Sequence, residues 1–158
     1  MVKKLCSVII RRANKDDVKH FVEIYVDAYR GLEEYAYTTR REIRNYFKWL
    51  MKRDPEGVFF AELSEPVGFI ACDSNWFSPF EMKKVGEIHE LAVKREFWGK
   101  GIGSKLLEKG IEYLRDKKMD YAELWVGVGN ERAKKFYEKH GFKEKGRFGK
   151  WVRMFRKI

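Results

Sequence analysis

Three glycines, Gly99, Gly101 and Gly103, fall within five positions, between a strand-like run and a helical pattern. No other stretch constrains the fold as tightly. Residues 87–104 read Glu-Ile-His-Glu-Leu-Ala-Val-Lys-Arg-Glu-Phe-Trp-Gly-Lys-Gly-Ile-Gly-Ser. Glycine reaches backbone conformations closed to other residues, so such a cluster turns tightly and leaves N–H groups bare. A helix that opens there aims those groups, and the positive end of its dipole, at one point. The expected occupant is a phosphate. Gly101 and Gly103 in a first helical turn also cost stability, which argues for a backbone purpose. The cluster is not a Walker loop, because no Gly-x-x-x-x-Gly-Lys-Ser/Thr occurs. It is not a dinucleotide fingerprint either, because Leu106 stands where a third glycine would be.

The rest of the chain organises around this turn. Residues 5–12 read as a first strand. Asn14 caps a helix to about Arg30, with Phe21, Ile24, Tyr25 and Ala28 at helical spacing. Thr39-Arg40-Arg41-Glu42 is a capping-box pattern, and Ile43, Tyr46, Phe47 and Leu50 form one face of a second helix. Val58–Leu63 and Val67–Ser74 predict a hairpin, and Val85–Val93 a further strand after a loop containing Pro79. A helix follows from about Gly101 to Lys117. Tyr121–Val126 is a strand, Asn130–His140 a short helix, and Phe142 opens a terminal pair of strands. The order β-α-α-β-β-β-α-β-α-β-β predicts an α+β fold in one domain, residues 1–158, with a right-handed parallel crossover between residues 85 and 126.

Composition narrows the class. The 158 residues suffice for one core, and no apolar run approaches membrane-spanning length. Arg11 and Arg12 cut the opening apolar run too short for a signal peptide, so the expectation is a cytoplasmic protein. Cys6 and Cys72 sit in strand-like segments and read as small buried hydrophobes, and no Cys/His spacing suggests a metal. The absence of glutamine and the wealth of charge suit a thermophile. Residues 1–93 hold 15 Lys/Arg and 15 Asp/Glu, and residues 94–158 hold 19 and 9, so the whole net charge of +10 lies in the second part. That field either solvates a surface or draws in a polyanion.

A second stretch completes the pattern. A strand ends in Gly127-Val128-Gly129, Asn130 caps a helix, and Phe136-Tyr137 precede a Gly141-Phe142 exit. Alone, Phe136 and Tyr137 read as core. Together the two stretches resemble the GNAT superfamily of N-acetyltransferases. Trp98-Gly99-Lys100-Gly101-Ile102-Gly103 is similar to that family's Gln/Arg-x-x-Gly-x-Gly/Ala signature. Asn130, Ala133 and Phe136 to Phe142 follow its later Asn…Ala…Phe-Tyr-Glu-Lys-x-Gly-Phe pattern. Trp98 departs from the usual Gln or Arg.

The resemblance implies a mixed, mostly antiparallel central sheet of six or seven strands flanked by about four helices, with strands 85–93 and 121–126 splayed. It implies acetyl-coenzyme A as donor, with no metal. The turn from Trp98 through Gly99, Lys100, Gly101, Ile102 and Gly103 to Ser104 would cradle the pyrophosphate. The backbone of Leu91, Ala92 and Val93 would pair with the pantetheine arm, and the Leu91 N–H would polarise the thioester carbonyl. Asn130, Ala133, Lys134, Phe136 and Tyr137 would complete the donor site. Lys100, Arg132, Lys134 or Lys135 could meet the 3′-phosphate. An amine would attack the thioester directly in a ternary complex, with Tyr137 as acid to the leaving thiolate.

The base stays open among Glu87, Glu90 and His89, in that order, with an ordinary polar strand residue or a water chain as alternatives. Glu87 lies eleven residues before Trp98, as a catalytic glutamate does in some members. Strand alternation puts Glu87, His89 and Leu91 on one face and Glu90 on the other, and a bulge would exchange them. The acceptor site is expected between the helix connection, with Tyr29, Glu33, Glu34 and Tyr35, and the terminal hairpin. Its aromatics and carboxylates suit a cationic amine, namely a polyamine-like molecule, a lysine or a peptide N-terminus. The competing class is a basic nucleic-acid-binding module or a coenzyme A-binding module without catalysis. Nucleic acid and membrane are not the expected partners, and the chain is a monomer or a homodimer.

Overall fold

The computed structural model describes residues 7–158, so Cys6 and the start of the first expected strand lie outside the described residues. Among these residues seven strands form one sheet: β1 (Ile9–Arg12), β2 (Val58–Glu62), β3 (Pro66–Ser78), β4 (Lys83–Val93), β5 (Tyr121–Gly127), β6 (Lys143–Phe148) and β7 (Trp151–Lys157). Among the described residues four α-helices flank it: α1 (Val18–Ala28), α2 (Arg40–Arg53), α3 (Ile102–Asp116) and α4 (Glu131–Lys139). The strand order is β1-β2-β3-β4-β5-β7-β6. Every neighbouring pair is antiparallel except β4 with β5, which run parallel as the crossover through α3 requires.

Local signals set the element ends. Asn14 and Asp17 form a reciprocal capping box, but the residues they cap, Lys15–Asp17, make a 3₁₀ turn that leads into α1. Thr39 and Glu42 form the expected box at the start of α2. Strand β3 runs to Ser78, beyond the expected end at Ser74. Trp76, Phe77 and Ser78 pair with Val85, Lys84 and Lys83, which shortens the loop around Pro79.

Alternation along the central strands builds two cores, one on each face. Phe69 and Ala71 of β3 join Phe21, Ile24, Phe47 and Leu50 of α1 and α2. Ile70 and Cys72 join Leu106, Leu107 and Leu114 of α3, with Leu124 and Met154 from the far strands. Each fully buried Leu, Ile or Phe contributes about 1.5–3 kcal/mol. Cys72 is buried and free, and burial pushes its thiol up. It behaves as a small hydrophobe.

Two irregularities of β4 position the site. Its parallel pairing with β5 covers only Gly86 with Ala122 and Glu87 with Glu123. Beyond Glu87 the strands part, leaving the β5-facing edge of residues 88–93 without a strand partner. On the other edge, Ala71 pairs with Glu90 while Cys72 pairs with Ile88, so β4 carries one extra residue at His89. This is a β-bulge.

Candidate active site

The gap between β4 and β5 opens into a cavity of about 1020 Å³ that runs from the start of α3, past Glu90, to the β6–β7 turn. At the α3 end the glycine turn supplies the floor. Gly99 and Gly101 adopt φ of +76° and +82°, and a Cβ placed on either would meet nothing within 4 Å. The space above the turn is therefore open. Gly101 is the N-cap of α3, no side chain caps that helix, and Gly101 to Ser104 line the cavity. Uncapped N–H groups at a helix start, facing an open cavity, fit a phosphate group.

Trp98 occupies the first position of the turn. Its indole N–H donates to the Val93 carbonyl at 2.6 Å, which ties the turn to the end of β4. The guanidinium of Arg132 lies 4.3 Å from its ring centroid and that of Arg95 4.9 Å, both as cation–π contacts. Arg132 lines the cavity, so a cation still stands beside the turn where the family motif places Gln or Arg. Lys100 and Lys134 do not line it. The Lys100 ammonium lies over the Phe97 ring, and Lys134 pairs with Glu144 at 2.9 Å. Asn130 caps α4 by accepting from the Ala133 N–H, and Asn130, Ala133 and Phe136 form the cavity wall beside β5. Ser104 also lines it, with its hydroxyl 3.0 Å from His140 Nε2.

The bulge decides which acidic residues of β4 reach the cavity. Glu87 and His89 keep the face toward α1 and α2, the extra residue turns Glu90 to that same face, and Leu91 packs on the α3 side. Glu90 lines the cavity. It accepts the Tyr29 hydroxyl at 2.7 Å and the Tyr46 hydroxyl at 3.2 Å. Desolvation raises its pKa to about 7, against the pull of those two donors. Glu87 does not line the cavity. It is buried opposite Glu123, near Asp73 and Arg153, and its Oε2 has no hydrogen-bond partner. Burial, and then the Glu123 carboxylate, push its pKa well above the usual carboxylate range. His89 lines the cavity between Trp49 and Trp76, with Nε2 2.9 Å from Asp73.

Tyr137 faces the same gap from α4. Its hydroxyl makes no hydrogen bond among the described residues, and burial, then the nearby charge of Glu90, keeps it protonated. The helix connection closes the far end. Tyr35 is buried on Gly127 and accepts the Gly129 N–H at 2.8 Å. A Cβ on Gly127 would meet the Tyr35 ring at 2.6 Å, so the close approach requires glycine. Tyr29, Glu34 and Tyr35 line the cavity. Glu33 instead accepts the Gly31 N–H at 2.9 Å and stays exposed.

Residues that the sequence reading left out also line the cavity: Tyr46, Lys139, Trp125, Phe148, Lys150 and Trp151. Tyr46 had a local signal, as part of the apolar face of α2, but nothing local shows its hydroxyl reaching Glu90.

Open helix amides beside parted strands, with a carboxylate and a phenol facing the gap, suit an enzyme that transfers an acyl group from a coenzyme A thioester, and the comparisons with known proteins give that class. The chain belongs to the acetyltransferase (GNAT) family, whose model matches residues 18–142. A relative from Archaeoglobus fulgidus, named an uncharacterized N-acetyltransferase, is 61% identical over 129 residues, covering 81% of this chain and 88% of its own. The crystal structure of PH1933 from Pyrococcus horikoshii OT3 is 42% identical, with a TM-score of 0.86, covering 96% of this chain and 98% of its own. The PaiA N-acetyltransferase from Thermoplasma acidophilum, solved in complex with coenzyme A, shares the fold at a TM-score of 0.81 and 21% identity, covering 96% and 99%. The chain is thus an acetyl-CoA-dependent acetyltransferase with the mixed α+β fold of that family, and a thermophilic source fits its archaeal relatives from Archaeoglobus fulgidus and Methanocaldococcus jannaschii. Among the described residues no helix is long and apolar enough to cross a membrane, and no group of three or more His, Cys, Asp or Glu could hold a metal.

Proposed function

We propose that the protein moves the acetyl group of acetyl-CoA to a cationic primary amine by direct attack in a ternary complex. The observation that carries this reading is Glu90. It is the carboxylate of β4 that lines the cavity, its pKa of about 7 suits a base at neutral pH, and it stands in the same gap as Tyr137. Residues 1–158 act as one catalytic unit, in the cytoplasm.

Acetyl-CoA would seat its pyrophosphate on the N–H groups of Gly101 to Ser104, with Arg132 beside it. The pantetheine arm would lie along the unpaired edge of residues 88–93. The Leu91 N–H would stabilise the oxyanion that forms at the thioester carbonyl. Glu90 would take a proton from the acceptor ammonium, and the free amine would attack the carbonyl carbon. As the carbon–sulfur bond breaks, the Tyr137 hydroxyl would donate its proton to the leaving thiolate. Sequence order alone favours Glu87 as base. Its burial away from the cavity favours Glu90.

An amine panel assayed for release of free coenzyme A thiol tests the reading. Turnover should be highest with cationic primary amines such as lysine side chains, peptide N-termini or polyamines. A preference for neutral or anionic acceptors would overturn it.

A further inference from the structure

A second, smaller cavity of about 350 Å³ lies beside the first, and the two share Tyr37 and Tyr46 as walls. Its other lining residues are Glu42, Asn45 and Trp49. Glu42, Asn45, Tyr46 and Trp49 stand at i, i+3, i+4 and i+7 on α2, which makes them one stripe of the helix. The Tyr37 and Tyr46 rings are 5.0 Å apart, and the Tyr46 and Trp49 rings are stacked at 6.1 Å. Tyr37 and Trp49 are 47% and 42% exposed, so the apolar core does not account for them.

Among the described residues Glu42 is the only charged one that lines this cleft. Its Oε1 accepts the Thr39 hydroxyl and N–H in the capping box, and its Oε2 has no hydrogen-bond partner among the described residues. The cations of α2 at Arg41, Arg44 and Lys48 follow a different stripe of the helix, and Arg53, which returns to the stripe of Glu42 at its far end, is paired with Asp73 at 2.7 Å. Three aromatic rings and one available carboxylate attract an organic cation and disfavour an anion. Tyr46 links the two cavities: its ring walls the small one and its hydroxyl reaches Glu90 at 3.2 Å. Tyr46 thus borders the cleft that Glu42 lines and also touches Glu90.

We propose that this cleft is a second cation subsite for the acceptor, which makes the preferred acceptor a diamine-like molecule whose second positive charge lies a short alkyl spacer from the reacting amine. The inference rests on Glu90 marking where the reacting amine sits. In it, Glu42 and the rings hold the distal ammonium while Glu90 receives the proton from the proximal one. Each cation then has its own carboxylate.

The test compares a linear diaminoalkane with the monoamine of equal chain length, by kcat/KM and by calorimetric binding to the coenzyme A-loaded protein. The wild type should favour the diamine roughly tenfold in both, the scale of one well-placed cation contact. Glu42→Gln keeps a side chain suited to the capping box and removes the charge. It and Trp49→Leu should each bring the diamine down to the monoamine value and leave the monoamine unchanged. Equal wild-type values for the two amines, or a diamine advantage that survives in both variants, would overturn the subsite. If the diamine binds and Glu42→Gln abolishes that binding, but neither amine is acetylated, the subsite stands and the proposed acetyl transfer to amines is what fails.

Discussion

Glu90 shows how one side chain's environment selects its chemistry. Tyr29 and Tyr46 each donate a hydrogen bond to it, which favours the charged form, yet desolvation outweighs both and leaves the pKa at about 7. With Glu90 as the base, kcat/KM should rise through about pH 7 and then level. Glu90→Gln should lower kcat roughly hundredfold and remove that limb, measured by coenzyme A thiol release across pH. Glu87→Gln should leave both intact, since Glu87 does not line the cavity. The same shift has a stability consequence. Between the ordinary 4.5 and about 7 the folded state keeps a proton that the unfolded chain has released, so stability falls as pH rises through that window. Glu90→Gln should therefore raise stability at pH 8, by on the order of 1–3 kcal/mol in urea unfolding. Tyr137→Phe should lower kcat at least roughly tenfold with coenzyme A affinity unchanged within about twofold, by stopped flow and calorimetry. Unchanged turnover would remove Tyr137 as the acid.

At the scale of elements, a few backbone events do most of the positioning. The N-cap of α3 has Gly101 at φ +82° and no side-chain cap, so the first amides of a fifteen-residue helix stay available. Gly101→Glu would force a side chain onto that backbone and set a carboxylate beside the phosphate position. Calorimetry should show coenzyme A affinity falling at least roughly hundredfold, about 2.7 kcal/mol. Normal affinity would reject the phosphate cradle. The extra residue at His89 is the second such event. It brings Glu90 onto the face of Glu87, where strict alternation would hide it. Both events are local, but they differ in legibility. Clustered glycines announce a tight turn, whereas nothing in Glu-Ile-His-Glu-Leu marks a bulge, because the bulge is set by register against β3.

Across the whole molecule, buried polar groups tie the layers together. Asp54, at the end of α2, is buried. It accepts the Tyr113 hydroxyl of α3 at 2.6 Å, and the Ser74 N–H and hydroxyl of β3 at 2.8 and 2.7 Å. One carboxylate thus joins helices from opposite faces of the sheet. Asp54→Ala strands three donors, and chemical denaturation should show a loss on the order of 3 kcal/mol. The helix connection performs a similar task at the other end of the cleft. Tyr35 seats on Gly127 and Gly129 and packs against Trp151, so the acceptor end is walled by segments far apart in sequence.

The amino-acid order by itself determined the element sequence, the parallel crossover through α3, the glycine turn and the family. Each of these is written in periodicity, caps and motifs spanning a few neighbouring residues. The acidic residues of β4 and the residues around the acceptor were another matter. Tertiary structure alone decided that Glu90 reaches the cavity, that Glu87 is buried against Glu123, and that the Arg132 guanidinium meets the Trp98 ring. The physical reason is that burial, pKa and facing direction depend on partners dozens of residues away, brought in by sheet register and helix packing.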